Sequence, residues 1–151
     1  MSVEIIIESH LQRSPLEVWK KISTLQGVNE ELAPFVRMTA SADQMKLPFT
    51  EAPIQQKLFT SVLLLFRVIP VDLHFLKLDD IWQYGFRENS SSLMHAYWQH
   101  ERTITGEADN CVLKDHLKFK PRLPLIHLIM RPIVRFIFEH RHRQLQKWFN
   151  P

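Results

Sequence analysis

The 151-residue chain holds one cysteine, Cys111, so no intramolecular disulfide and no thiolate metal cluster can form within it. A reducing compartment is the expected setting. No apolar run reaches the roughly 20 uninterrupted residues that a membrane span needs. Arg67 interrupts the stretch from Val62 to Val71, and Arg131 and Arg135 interrupt Leu123 to Phe138, so both read as buried core elements. The start, Met1-Ser2-Val3-Glu4, carries acid in place of a basic leader and runs into no apolar signal segment, which predicts a cytoplasmic protein. An HExxH motif and a cysteine ligand set are also missing, and His140 and His142 stand i, i+2 on a helix with their rings on different faces. Neither a metal site nor a cofactor is expected. No repeat or low-complexity tract divides the chain, so residues 1–151 read as one domain with a sizeable core.

What is present is ordinary globular material: 45% hydrophobic and 23% charged residues argue against disorder and against a membrane-embedded protein. Val3 to Leu11 puts Val3, Ile5, Ile7, Ser9 and Leu11 on one face, the pattern of a half-buried first strand. Ser14-Pro15-Leu16-Glu17 supplies an N-cap, a proline at the first helical position and a glutamate three residues after the cap. Gly27 interrupts the helical pattern, and a short second helix over about Asn29 to Leu32 is expected to end at Ala33-Pro34. Phe35 to Thr39 reads as a brief strand, and Ser41 to Phe49 has no clear period. Ile54, Leu58, Val62, Leu65 and Phe66 keep helical spacing, so Pro53 to Phe66 leans to helix, although Val62 to Leu65 reads equally well as buried strand. Four strands follow, Val71 to Trp82, Gly85 to Ser91, Met94 to Thr105 and Cys111 to Lys120, with turn-rich breaks at Asn89 to Ser92 and Gly106 to Asn110.

The last element, about Leu125 to Phe149, is apolar almost all round in its first half, which predicts that other structure encloses it. Pro132 removes a backbone donor there and should bend the helix. Strand, two short helices, antiparallel strands and a long final helix leave one economical packing. It is an α+β fold in which a curved antiparallel sheet of six or seven strands closes around that helix. From Lys118 onward eight Lys/Arg face the single acid Glu139, a net +7 within a formal total of +3. On one reading the basic side chains from Arg131 to Lys147 are solvated or acid-paired and complement the negative end of the helix. On another they allow weak contact with an anionic membrane surface. No interleaved aromatic platform accompanies them, so nucleic acid is not an expected partner.

Trp98-Gln99-His100-Glu101-Arg102 on a late strand, Leu113-Lys114-Asp115-His116 on the next, Phe119 to Pro124 at its end and Ile133 to Leu145 on the last helix resemble the SRPBCC superfamily. That superfamily includes START-like, polyketide-cyclase-like and Bet v 1-like domains. The likeness extends to the first strand and the helix start at Ser14, and leaves out about Ser41 to Phe66. It implies a helix-grip fold with a cavity for a hydrophobic small molecule or lipid, and it implies no shared catalytic set. The unmatched segment, long and apolar, would cap, fill or reshape that cavity.

Alternation along Met94 to Thr105 puts Trp98, His100, Arg102 and Ile104 on one face, with His95, Tyr97, Gln99, Glu101 and Thr103 on the other. Facing a cavity, Trp98, His100 and Arg102 would be an aromatic wall and two polar handles. Ser9 on the first strand and Ile129, Ile133 and Ile137 on the last helix complete the candidate ligand-binding set. Arg102 would then pair with a ligand carboxylate. A competing reading pairs Arg102 with Asp115 or Glu101 across strands and makes His100 a satisfied core histidine, since a buried charge needs a partner with or without a ligand. Three functions stay open. The first is a noncatalytic binding or carrier role for a hydrophobic small molecule or lipid. The second is an enzyme of polyketide-cyclase or dehydratase type using His100 and Arg102, with His100 as general base oriented by Asp115. The third is an interaction module whose cavity is plugged by Val62 to Phe66.

Overall fold

The computed structural model describes residues 2–151. β1 (Val3–Leu11) follows the predicted alternation, with Val3, Ile5, Ser9 and Leu11 buried. α1 (Pro15–Ile22) starts where the capping residues place it, the Ser14 hydroxyl accepting the Glu17 N–H at 3.2 Å. α2 (Leu25–Leu32) begins four residues earlier than the sequence suggests, because Thr24 Oγ1 caps it by accepting the Gly27 N–H at 3.1 Å. Gly27 therefore lies inside the helix. Its missing side chain is what lets α2 meet the end of α1, for a Cβ there would sit 2.1 Å from the Lys21 carbonyl oxygen.

β2 (Val36–Met38), α3 (Ala42–Lys46) and a 3₁₀ turn (Phe49–Glu51) follow. The helical leaning over Pro53 to Phe66 is corrected: the segment carries β3 (Lys57–Leu65), paired antiparallel to β4 (Ile69–Trp82) along its length. Four apolar residues in a row fit either period, and the partner strand decides between them. β5 (Gly85–Ser92), β6 (His95–Glu107) and β7 (Asn110–Pro121) complete the meander. The expected break at Asn89 to Ser92 also moves, since these residues extend β5 and the chain turns at Leu93 and Met94. Ser90 earns its inward place by accepting the Lys77 N–H at 3.0 Å and donating to Glu88 at 2.7 Å.

The seven strands run in the order β1-β7-β6-β5-β4-β3-β2, every neighbouring pair antiparallel. α4 (Pro124–Phe149) crosses this sheet, packing on β1, β7 and α2. Residues of β2, β3, β4, β5, β6 and α4 all line one hollow, which a flat sheet could not arrange, so the sheet curls about the helix. The enclosure is one-sided. Met130, Val134 and Phe138 form a buried stripe at i, i+4 and i+8, whereas Leu125, Leu128, Ile129 and Phe136 face outward and Ile133 is partly in solvent. This corrects the expectation that the first half of the helix is surrounded. No helix among the described residues is long and apolar enough to cross a membrane.

Candidate functional site

Between α4 and the concave sheet lies a hollow of about 350 Å³, near the lower end of the usual size for a small-molecule site. α4 contributes Met130, Ile133, Val134, Ile137, Phe138 and Arg141, one face of a helix over roughly 16 Å. The opposite wall is mostly apolar, with Trp98 from β6 and Leu63 and Leu65 from β3. Val62 to Phe66 thus forms part of the wall and leaves the hollow open. Ile133 and Val71 both line it and reach solvent, which puts the mouth between the first half of α4 and the start of β4.

Polar side chains enter from one side of the sheet. His74 Nε2 lies 2.6 Å from Glu88 Oε2, which also accepts from the Ser90 hydroxyl, and His100 Nδ1 stands 3.8 Å from Glu88 Oε1. Burial works against the Glu88 charge, yet His74 and His100 together hold its carboxyl far below the usual range. The same pairing outweighs the desolvation of His74 and raises its pKa.

Behind this wall lies a fully buried ionic cluster. Arg102, 0% exposed, clamps Asp115 through Nε–Oδ1 and Nη2–Oδ2 contacts of 2.7 Å each. Its Nη1 donates to both oxygens of Glu31, at 2.9 and 3.0 Å, and Arg141 Nε donates to Glu31 Oε1 at 3.0 Å. Two guanidiniums therefore face two carboxylates. Asp115 also meets His100 Nε2 at 2.6 Å and His142 Nε2 at 2.8 Å. Despite full desolvation, Arg102 and His100 keep the Asp115 carboxyl well below its ordinary value. Burial favours the neutral form of Arg102 as well, but Asp115 and Glu31 raise its pKa further. An ionised Asp115 accepts from both rings, and in the Nε2–H tautomer this requires, His142 Nδ1 accepts a hydrogen bond from the Ser9 hydroxyl, 2.6 Å away.

The sequence-derived set divides in three. Trp98, His100, Ile133 and Ile137 line the hollow. Arg102, Asp115 and Ser9 lie behind its wall in the ionic cluster, and Ile129 points to solvent. Arg102 thus takes the cross-strand partner of the competing reading, Asp115, with Glu31 as a second. Ser9, His142 and Asp115 stand in line, but Ser9 is 4% exposed and packed against α4, out of reach of the hollow. His95, placed by alternation on the outer face, is buried and lines the hollow because a register shift between His95 and Tyr97 turns it inward. The basic run is redistributed too: His140 Nε2 meets the Ala33 carbonyl at 2.7 Å, while Arg141 and His142 are buried against Glu31 and Asp115. Two buried nitrogens of lining residues, Arg141 Nη2 and His95 Nε2, have no hydrogen-bond partner among the described residues. Cys111 packs in the core, where burial pushes its thiol up.

Residues 9–149 match the family described as "Domain of unknown function (DUF8410)". No curated protein matches the chain. Among solved structures, a START superfamily protein from Mycobacterium smegmatis aligns with TM-score 0.67 at 10% identity, over 97% of this chain and 96% of that one. Norcoclaurine synthase from Thalictrum flavum, in complex with dopamine and hydroxybenzaldehyde, aligns with TM-score 0.66 at 12% identity, over 98% and 86%. The Zhui aromatase/cyclase from Streptomyces sp. R1128 aligns with TM-score 0.61 at 10% identity, over 99% and 98%. At these identities the likeness is one of fold, and the fold is the helix grip of the START-like and Bet v 1-like SRPBCC domains.

Proposed function

We propose that this chain, which belongs to the DUF8410 domain family, binds a hydrophobic small molecule or lipid in the hollow beneath α4, in a noncatalytic binding or carrier role. The observation that carries the reading is the hollow itself: an apolar space of about 350 Å³ left open in an otherwise packed core. Trp98, Ile133 and Ile137 would contact the apolar body of the ligand, and the unpartnered Arg141 Nη2 would favour a ligand with a hydrogen-bond acceptor. Norcoclaurine synthase, of the same fold, holds small aromatic molecules, which supports an organic ligand here. A cytoplasmic setting accords with the one reduced, buried cysteine.

Native mass spectrometry of the purified protein tests the proposal, together with titration by the uncharged fluorescent probe N-phenyl-1-naphthylamine. Val134→Phe projects a ring into the hollow and is expected to weaken probe binding by roughly tenfold or more. Undiminished binding by that variant would place the probe elsewhere and defeat the proposal.

The second reading, a cyclase or dehydratase, is favoured by one contact: His100 lines the hollow and is oriented from behind by Asp115. Against it, Nδ1, the nitrogen left to act as base, already faces Glu88. His100→Ala is expected to abolish turnover of a carbonyl substrate if this reading holds, and full turnover by the variant removes it.

A further inference from the structure

In an antiparallel meander alternate turns share one end of the sheet. The β3–β4 turn, the β5–β6 turn and the β7–α4 connection accordingly meet at the mouth of the hollow. Direct contacts tie them together. Phe35 packs edge-on against both Phe66 of the first turn and Phe136 of α4, and the Arg122 N–H donates to the Met94 carbonyl at 2.9 Å. The large apolar side chains left in solvent gather here. Leu125 is 82% exposed, Leu128 75% and Val68 72%, with Phe66, Ile69 and Leu93 beside them. Single exposed apolar residues need no explanation, but a contiguous group around a cavity mouth does.

The charges interleaved with this group have one sign. Arg67 on the β3–β4 turn, Arg122 in the β7–α4 connection and Arg131 and Arg135 on the first half of α4 are exposed, and the β5–β6 turn carries no charge. Residues 121–136 and 64–71 contain no acid. The two nearest carboxylates are engaged, Asp72 turned inward to His95 and Glu139 paired with Arg135 at 3.1 Å. A protein partner for such a surface would be apolar and acidic in alternation at single-residue spacing. A bilayer with anionic headgroups presents apolar depth and surface charge together, and needs no such register.

We infer that the mouth end of the fold, formed by the β3–β4 turn, the Leu93 turn and the outer face of the first half of α4, docks on an anionic lipid surface. Leu125, Leu128 and Val68 enter the headgroup layer, while Arg67, Arg122 and Arg131 lie at the level of the phosphates. The contact differs from the one the basic sequence suggests, because Arg141 and His142 at the other end of α4 are buried in the ionic cluster. It stands independently of which ligand, if any, the hollow takes.

The test is sedimentation with phosphatidylcholine vesicles, with and without phosphatidylserine, alongside light scattering of the free protein. Wild type is expected to sediment with the phosphatidylserine vesicles and to be released by high salt. Arg67→Gln/Arg131→Gln is expected to weaken this on the order of 30-fold, from about fivefold per arginine. Leu125→Glu/Leu128→Glu, both on an exposed face, is expected to abolish it with circular dichroism unchanged. Failure of wild type to sediment overturns the inference, as does full sedimentation of the leucine variant. A wild-type dimer that the leucine variant returns to monomer also overturns it, assigning the face to a second copy of the chain.

Discussion

Asp115→Ala is expected to cost about 3–5 kcal/mol of folding stability, the size associated with breaking a buried ion pair by removing one partner. Four contacts end on this carboxylate, two from Arg102 and one each from His100 and His142. None of the three partners can turn to solvent, since all are buried. Glu31 would be left to balance two guanidiniums, and the cavity made by deleting the carboxylate lies beside them. Urea unfolding at neutral pH measures the loss as a fall in midpoint with an unchanged slope. A change below about 1 kcal/mol, the size typical of exposed pairs, would show that water reaches the cluster.

Acid is expected to remove the same stability by another route. Asp115 and Glu88 are depressed in the fold from ordinary values of 3.8 and 4.5. Their contribution is therefore fully present above those values and is lost as pH falls through the folded ones. His74 has the opposite sign. Its pKa is raised from 6.5, so its contribution is complete below that value and fades as pH climbs past the folded one. Urea midpoints should thus fall steeply below about pH 4.5 and decline gently above about 6.5. Glu88→Gln is the informative variant. It removes one of three depressed carboxyls, Asp72 being the third, and the main cause of the raised His74 pKa, so it should start less stable and show both limbs flattened. An acid limb identical to wild type would mean that Glu88 is already neutral in the fold.

The meander and the long final helix were legible because they rest on alternation and on a greasy terminal segment, both local signals. β3 was harder. Val62 to Leu65 offers no period, and its strand state is dictated by β4, a partner the sequence does not display. The polar wall was half legible: His100 and Trp98 follow from counting along β6, but counting fails at His95, where one extra residue reverses the faces. Glu31 gave no warning, since Asn29-Glu30-Glu31 reads as a solvated helix face. Only the arrival of Arg102 and Arg141 from distant segments makes its burial tolerable. Arg141 and His142 are neighbours about 100° apart on a helix and would ordinarily not both face inward. They do so because α2 covers one side of α4 and β1 with β7 the other.

The buried ionic cluster also ties together segments far apart in the chain. Its members come from positions 9, 31, 100, 102, 115, 141 and 142, so no portion of the chain short of α4 can complete it. Without α4, Arg102 would still meet Asp115 and Glu31, but two buried carboxylates would share one guanidinium. Docking of α4, which brings Arg141 and His142 to these carboxylates, is therefore expected to be cooperative with closure of the sheet, both lost together in unfolding.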